Sequence, residues 1–399
     1  MNLSKFGYLK ISTICPRLYL GNPIKNSKEI IKTFKKAKGS LVLYPELSLT
    51  GYTCEDYFYS QELQNKTNLA LEQVIKETKK INKILVLGMP FKNIKGTLFN
   101  CAVIIFKGKI LGIVPKIYRP NMHEFYEKRW FSSGLNVSEE IIFLNQKFLL
   151  ASNQIFDFGK LKLGVEICED LWAPIAPSAE LALGGANVIL NLSASNELIH
   201  KKEYREELVR VQSAKLNCVY AYCSAGIFES SKDIVFGGHQ IVSENGTTIV
   251  NSDRFNLKSS ENFCEVDLDK IESERSKNKS FGFSSLIHNK KNIRFKEDAN
   301  FNINKIYREY RKRPFIPNKN SRSKVCEEIL TLQEKALARR LLSINKPKII
   351  LGLSGGLDST LALIVALRAV KTTKQSIKDI ICISTVSYTH LTLPKTPYV

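Results

Sequence analysis

The chain has 399 residues, 44% of them apolar, and a formal net charge of +21. That apolar share is ordinary for a globular protein and supplies ample core material, and the length suggests two or three domains. The longest apolar runs, such as "CAVIIF" and "VYAYC", are strand-sized, and "MNLSKFGYLKISTICPRLYL" lacks the unbroken apolar stretch of a signal peptide, so a cytoplasmic protein without membrane contact is expected.

In chain order, "YLKIST", "SLVLYPE", "KILVLGMP", "FNCAVIIF", "KLGVEIC", "NVILNLS" and "VYAYCSA" read as strands. Most are apolar throughout and therefore buried on both faces. Helical patterns lie between them at "NSKEIIKTFKKAK", "QELQNKTNLALEQVIKETKK" and "KKEYREELVRVQSAKLN". "KGKI" and "ENGTTI" carry hairpin-turn chemistry. The fold class is layered α/β.

After about residue 269 the pattern weakens. "ERSKNKSFGFSS", "NKKNIRFKEDANFN" and "RKRPFIPNKNSRSK" are polar and poor in apolar residues, as linkers are. A helix follows at "CEEILTLQEKALARRLLSI", and then a strand, turn and helix at "IILGLSGGLDST". The organisation predicted is a first domain over 1–290, a basic linker with a connecting helix over 291–345, and a second domain starting at 346.

The charge is unevenly placed: from Lys305 to Lys348 there are thirteen Lys/Arg against four Asp/Glu. The rest is spread thinly, without the aromatic-basic interleaving of a recognised RNA or DNA module, so the excess reads as a solvated basic surface and no nucleic-acid partner is expected. Nine cysteines are too sparse for a disulfide scaffold, and the odd number argues against full pairing. No CxxC pair or Cys/His cluster has zinc spacing, so neither a structural metal nor a prosthetic group is expected. Cys101, Cys218 and Cys223 sit in apolar runs as small core residues, whereas Cys168 does not fit that description.

Three strand ends carry reactive side chains: Glu46 in "LVLYPELSLTGY", Lys116 in "GIVPKIY" and Cys168 in "LGVEICEDLW". Strand ends are where side chains of an α/β sheet converge on a ligand. A thiol nucleophile, a proton-moving carboxylate and an ammonium facing negative charge can together perform acyl transfer. Singly, Glu46 could be a cap, Lys116 a surface charge and Cys168 a buried strand cysteine.

Together, "YPELSLTGY", "PKIY…EFYEKRWF" and "EICEDLW" resemble the three catalytic blocks of the nitrilase superfamily, in the order Glu, Lys, Cys. "GNPIKN", "GANVILNLSAS" and "FGGHQIVSENG" resemble its framework, so the likeness covers about residues 5 to 270. It implies an αββα sandwich. More narrowly, "EICEDLWAPIAPSAELALGGANVILNLSAS" is similar to the glutaminase domains of glutamine-dependent NAD synthetases. That resemblance implies a thioester on Cys168, with Glu46 as base and then acid, and with Lys116 and the N–H of Glu169 facing the oxyanion. It further implies that Tyr52, Glu169, Ser195 and Lys201 contact glutamine, between aromatic walls at Phe125 and Trp172. Lys201 stands where an arginine is familiar in that family, Met122 replaces a tyrosine, and "KIYRPNM" lacks a common Leu-Pro. A lysine can pair with a substrate carboxylate, but as a point charge without bidentate geometry.

"SGGLDS", from Ser354 to Ser359, lacks the GxxxxGK[ST] spacing of a Walker A loop. Its glycines allow close backbone approach, its serines can donate, and the next helix offers free N–H groups: a combination suited to pyrophosphate. The candidate ATP-binding residues are Gly352, Ser354, Gly355, Gly356, Leu357, Asp358 and Ser359, and Asp358 is tolerable beside phosphates if it faces Mg²⁺. The motif resembles that of the PP-loop ATP pyrophosphatases, within a Rossmann-like domain.

Both resemblances together imply ammonia release from glutamine and ATP-dependent amidation of deamido-NAD through an adenylate, by a homo-oligomer. The second likeness stops near Ser384, which implies only the start of a synthetase domain, an atypical tail over 385–399 and an intact glutaminase half. Other readings are a nitrilase-type amidase joined to a different PP-loop enzyme, such as a tRNA-modifying one, and a non-catalytic assembly protein.

Overall fold

The computed structural model describes residues 2–287, 292–299 and 301–384, so the tail expected to be atypical lies outside the described residues. The chain divides into two compact units, Met1–Arg308 and Glu309–Val399.

In the first unit the strand-sized apolar runs build two sheets. One has eight strands, in the order Ser260–Asp267, Tyr8–Cys15, Leu41–Leu43, Ile84–Lys92, Leu98–Phe106, Lys109–Pro115, Gln146–Ala151 and Ser138–Phe143. The other has seven: Thr247–Asn251, Gln240–Glu244, Val219–Ser224, Val188–Ser193, Leu161–Ile167, Gln154–Phe158 and Ile293–Lys296. The central strands Leu161–Ile167, Val188–Ser193 and Val219–Ser224 run parallel. Their side chains must therefore be buried on both sides, as their unbroken apolar runs require.

Leu9, Ile11, Leu43 and Val86 of the first sheet meet Val165, Ile167, Leu190 and Leu192 of the second in one core. The helices Pro23–Lys36 and Gln61–Thr78 cover the first sheet's outer face, with Phe34, Leu71 and Val74 packed on Val42, Leu85 and Val103. The helices Pro177–Leu183 and Lys201–Lys215 cover the second, with Leu181 and Val209 on Ile189 and Tyr220. The result is an αββα sandwich. Local chemistry agrees with it. Asn22 caps the helix Pro23–Lys36 through its side chain, and Pro23 occupies the first turn, where its missing N–H leaves no bond unmade. Ile30, Ile31 and Phe34 then recur on one buried face, each contributing about 1.5–3 kcal/mol of apolar burial.

The polar stretches 292–299 and 301–308 pack with the first unit. Ile293–Lys296 adds an edge strand parallel to Gln154–Phe158, and Phe301 and Ile303 are buried. Arg308 grips the buried Glu244 with two nitrogens, at 2.6 and 2.8 Å, while Glu265 accepts the N–H groups of Tyr307 and Arg308.

In the second unit the helix Arg322–Ser343 packs on the helix Leu357–Thr372 through Ala338, Leu341, Ala369 and Val370. Arg368 reinforces the contact by ion pairs to Glu327 and Glu334. Strands Ile349–Leu353 and Ile380–Ser384 pair in parallel, and Ile350, Leu357, Ile381 and Ile383 are exposed. Among the described residues no helix is long and apolar enough to cross a membrane.

Candidate active site

Glu46 lies just past the strand Leu41–Leu43, in a turn that rests against the strand Ile84–Lys92. The approach is so close that a β-carbon at residue 88 would fall 2.2 Å from the Leu47 nitrogen; only glycine fits there. Lys116 immediately follows the strand Lys109–Pro115, and its N–H is held by the Asn100 carbonyl at 2.9 Å. Its ammonium, fully buried, donates to Glu46 Oε1 and to Glu127 Oε2, each at 2.6 Å. Asn100 Nδ2 bridges the same two carboxylates, at 2.6 and 2.8 Å. One buried cation and two buried anions are stable only with such extra hydrogen bonds, because attraction alone does not reliably offset lost hydration.

The balance leaves the groups unequal. Burial pushes Glu46 up to about 7, with Glu127 adding to the rise and Lys116 and Asn100 opposing it. Burial alone would lower the Lys116 ammonium, but Glu127 and Glu46 hold it well above the ordinary lysine range. The second oxygen of Glu46, Oε2, is buried and has no hydrogen-bond partner among the described residues. It is an acceptor left free to take a proton.

Cys168 comes from the other sheet, after the strand Leu161–Ile167 and before the short helix Glu169–Trp172. Its φ of 45° and ψ of −100° are strained for a residue with a β-carbon, at a cost of about 1–3 kcal/mol. Neighbours fix that conformation: the Cys168 N–H donates to the Leu192 carbonyl at 2.8 Å and to Asn191 Oδ1 at 3.2 Å. Burial pushes the thiol well above its usual range, Glu46 adds to this, and Lys116 acts against it. The resting sulfur is therefore a thiol, and a base must remove its proton when it attacks.

A cavity of about 400 Å³ opens over Cys168. Of the substrate contacts expected from the sequence, Phe125, Glu169, Trp172, Ser195 and Lys201 line it. Tyr52 does not; it stands edge-on to Phe125, with ring centroids 6.4 Å apart, and its hydroxyl donates to Glu127 at 3.4 Å. Lys201 lies over the Trp172 ring and donates to Asn196 Oδ1, and Asn196 Nδ2 in turn donates to Glu124. Lys201 is thus a half-buried cation, lowered chiefly by burial, at the cavity wall.

Glu127, Asn100, Asn196 and Glu124 escaped the reading of the sequence. Glu127 lies inside "EFYEKRWF", and a buried lysine between strand ends calls for more than one carboxylate. Asn100 is the polar exception in the apolar strand "FNCAVIIF", and a buried amide there requires partners.

In the second unit, Gly355 has φ +80°, which glycine adopts without strain, and Gly356 caps the helix Leu357–Thr372. Ser354 and Ser359 face each other with oxygens 3.4 Å apart, and the space around Gly352 and Gly355 is open. Asp358 lies in the helix's first turn and lines a groove with Arg340 and Leu361. Among the described residues no cluster of three or more His, Cys, Asp or Glu is placed to hold a metal ion.

The chain is similar to known proteins over most of its length. The glutamine-dependent NAD(+) synthetase of Mycobacterium tuberculosis is 32% identical over 378 residues, which are 91% of this chain and 55% of that protein. The chain spans little more than half the length of the bacterial relatives it matches, such as those of Mycobacterium bovis and Thermotoga maritima. A glutamine-dependent NAD(+) synthetase structure from Cytophaga hutchinsonii superposes with a TM-score of 0.59 at 20% identity, over 92% of this chain and 52% of that one. One from Acinetobacter baumannii, in complex with ADP, gives 0.55 at 22% identity, over 94% and 59%. The carbon-nitrogen hydrolase family model matches residues 22–275, a span that holds Glu46, Lys116, Glu127 and Cys168; the chain belongs to that family.

Proposed function

We propose that the first unit is a glutaminase whose ammonia serves the ATP-dependent amidation of deamido-NAD. The observation that carries the reading is the buried Glu46–Lys116–Glu127 cluster, in which Glu46 and Lys116 follow strands of one sheet and Glu127 comes from a short helical turn, together with the strained Cys168, which follows a strand of the other sheet and lines a cavity. Cys168 Sγ attacks the side-chain amide carbon of glutamine and passes its proton to Glu46. Lys116 and the N–H of Glu169 face the oxyanion. Glu46 returns the proton to the departing nitrogen, which leaves as ammonia with the thioester behind it. Water, deprotonated by Glu46, then cleaves the thioester to glutamate and restores the thiol. Phe125 and Trp172 wall the substrate, Ser195 and Glu169 bind it, and Lys201 pairs with its carboxylate. Tyr52 acts through Glu127, whose carboxylate its hydroxyl meets.

In the second unit, Gly352, Ser354, Gly355, Gly356, Leu357 and Ser359 are assigned to the phosphates of ATP, and Asp358 to its Mg²⁺. Adenylation of the deamido-NAD carboxylate would release pyrophosphate, and ammonia would then displace AMP. The names of the relatives favour this acceptor over a transfer RNA.

The test is covalent capture. Incubation with the glutamine analogue 6-diazo-5-oxo-norleucine should add one label per chain, on the peptide carrying Cys168, with glutamine protecting it. A label elsewhere, or none, defeats the reading. The pH dependence follows from Glu46. Below about 7 its carboxyl is protonated and cannot accept the thiol proton, so kcat/KM for glutamine should fall as pH drops through that value. A profile flat from pH 5.5 to 8 would contradict the assignment of Glu46 as base.

A further inference from the structure

Lys116 and Cys168 follow strands of different sheets, yet the chemistry requires their ends to be placed to better than about 1 Å of the productive geometry. A single buried side chain touches the backbone beside both. Asp170 Oδ2 accepts the N–H of Ile167, the residue before Cys168, at 2.9 Å. Its Oδ1 accepts the N–H groups of Ile117 and Tyr118, the two residues after Lys116, at 3.2 and 2.8 Å. The carboxyl is almost wholly shielded from solvent, and both oxygens are engaged.

We infer that Asp170 is a positioning residue that sets the nucleophile elbow and the lysine strand end in register across the two sheets. The inference rests on the assignment of Cys168, Lys116 and Glu46 as the reacting groups. Asp170 itself touches none of the atoms that react. Its two-sided grip also helps to hold the left-handed conformation of Cys168, which neighbours must over-determine if it is to persist. All three groups that face it are N–H donors and call for acceptor oxygens on both sides; burial pushes the carboxyl up to about 8, and the N–H groups of Tyr118 and Ile167 act against that rise. Asparagine has the same shape but only one acceptor oxygen. Whichever way its amide turns, an NH₂ group meets an N–H donor on one side, and one half of the staple opens.

The experiment is alkylation of the intact chain by iodoacetamide, followed peptide by peptide in the mass spectrometer. This reads the thiol directly, whatever the natural substrate. In the unaltered protein Cys168 should react well ahead of the buried Cys101, Cys218 and Cys223. In Asp170→Asn its rate should fall by about tenfold to a hundredfold, the scale expected for misplacement of about 1 Å, while those three cysteines stay slow. General loosening of the fold would have the opposite sign, speeding alkylation at all buried cysteines. An unchanged Cys168 rate in Asp170→Asn, or a rise shared by every cysteine, overturns the inference. A Cys168 no faster than the others in the unaltered protein overturns the proposed chemistry as well, so the two failures are told apart. If Asp170→Asn does not fold, amide exchange in the unaltered chain reads the same contacts. The N–H groups of Ile117, Tyr118 and Ile167 should open as one slow unit, and fast exchange at 117–118 beside slow exchange at 167 overturns the staple.

Discussion

Cys168→Ala should lose ammonia release from glutamine by a factor on the order of 10⁵, as removal of an acyl-transfer nucleophile does. No other thiol can stand in, because among the described residues Cys168 is the only cysteine that lines the cavity. The fold should hardly notice. The substitution removes one sulfur and leaves the backbone bonds of residue 168 to Leu192 and Asn191 in place. Alanine carries the same left-handed strain as cysteine, so stability should stay within about 1 kcal/mol. Glutamine should still bind, since Phe125, Trp172, Ser195 and Lys201 remain on the cavity wall. Ammonia assay, calorimetric binding and thermal unfolding of the two proteins check these three statements. Residual turnover above about one per cent of the parent would rule out Cys168 as the nucleophile.

Lys116→Met has the opposite signature, because it damages the fold and the chemistry together. Methionine fills much of the lysine's space but leaves Glu46 and Glu127 buried without their shared cation. Breaking a buried pair by removing one partner costs about 3–5 kcal/mol. Turnover should also fall by about 10²–10³, the usual effect of removing one group that faces the oxyanion. The stability loss should depend on pH in a fixed direction. Lys116 is the main influence holding Glu46 down against burial, so its removal raises Glu46 further above the unfolded value. A carboxyl raised in the folded state binds its proton more tightly there, so stability is favoured at low pH and lost as pH rises through the folded value. The deficit of the variant should therefore be smaller at pH 5 than at pH 8. Urea unfolding of both proteins at the two pH values measures it, and equal deficits would show that the two carboxylates are not coupled through Lys116.

Much of this candidate site was legible because Glu46, Lys116 and Cys168, the residues to which the proposed chemistry is assigned, sit at strand ends with distinctive neighbours. Glu46, Lys116 and Cys168 each follow an apolar run, and position on a strand is a local property. Glu127, Asn100 and Asp170 were harder to find because their roles come from contacts between segments far apart in the chain. Asp170 adjoins the nucleophile in sequence, yet its meaning lies in the N–H groups of Ile117 and Tyr118, more than fifty residues earlier. The strain at Cys168 was likewise invisible, since φ is set by what surrounds the elbow. The edge strand Ile293–Lys296 shows another limit. Its alternation "IRFK" is present, but only half-buried and framed by lysines and asparagines, so composition outweighed periodicity. Tyr52 was expected on the substrate by resemblance alone; its edge-on contact with Phe125 and the reach of its hydroxyl to Glu127 could not be read from the sequence.

The division of Glu46, Lys116 and Cys168 between two sheets has a mechanical consequence. Each sheet is internally tied by its own ladder of backbone hydrogen bonds, but the two face each other largely through apolar side chains, which grip without direction. A small slide of one sheet over the other would leave every strand intact and part the sulfur from the glutamate and lysine. On the proposed chemistry the trio would work as a vernier on the alignment of the sandwich, reading a displacement too small for any measure of secondary structure to notice.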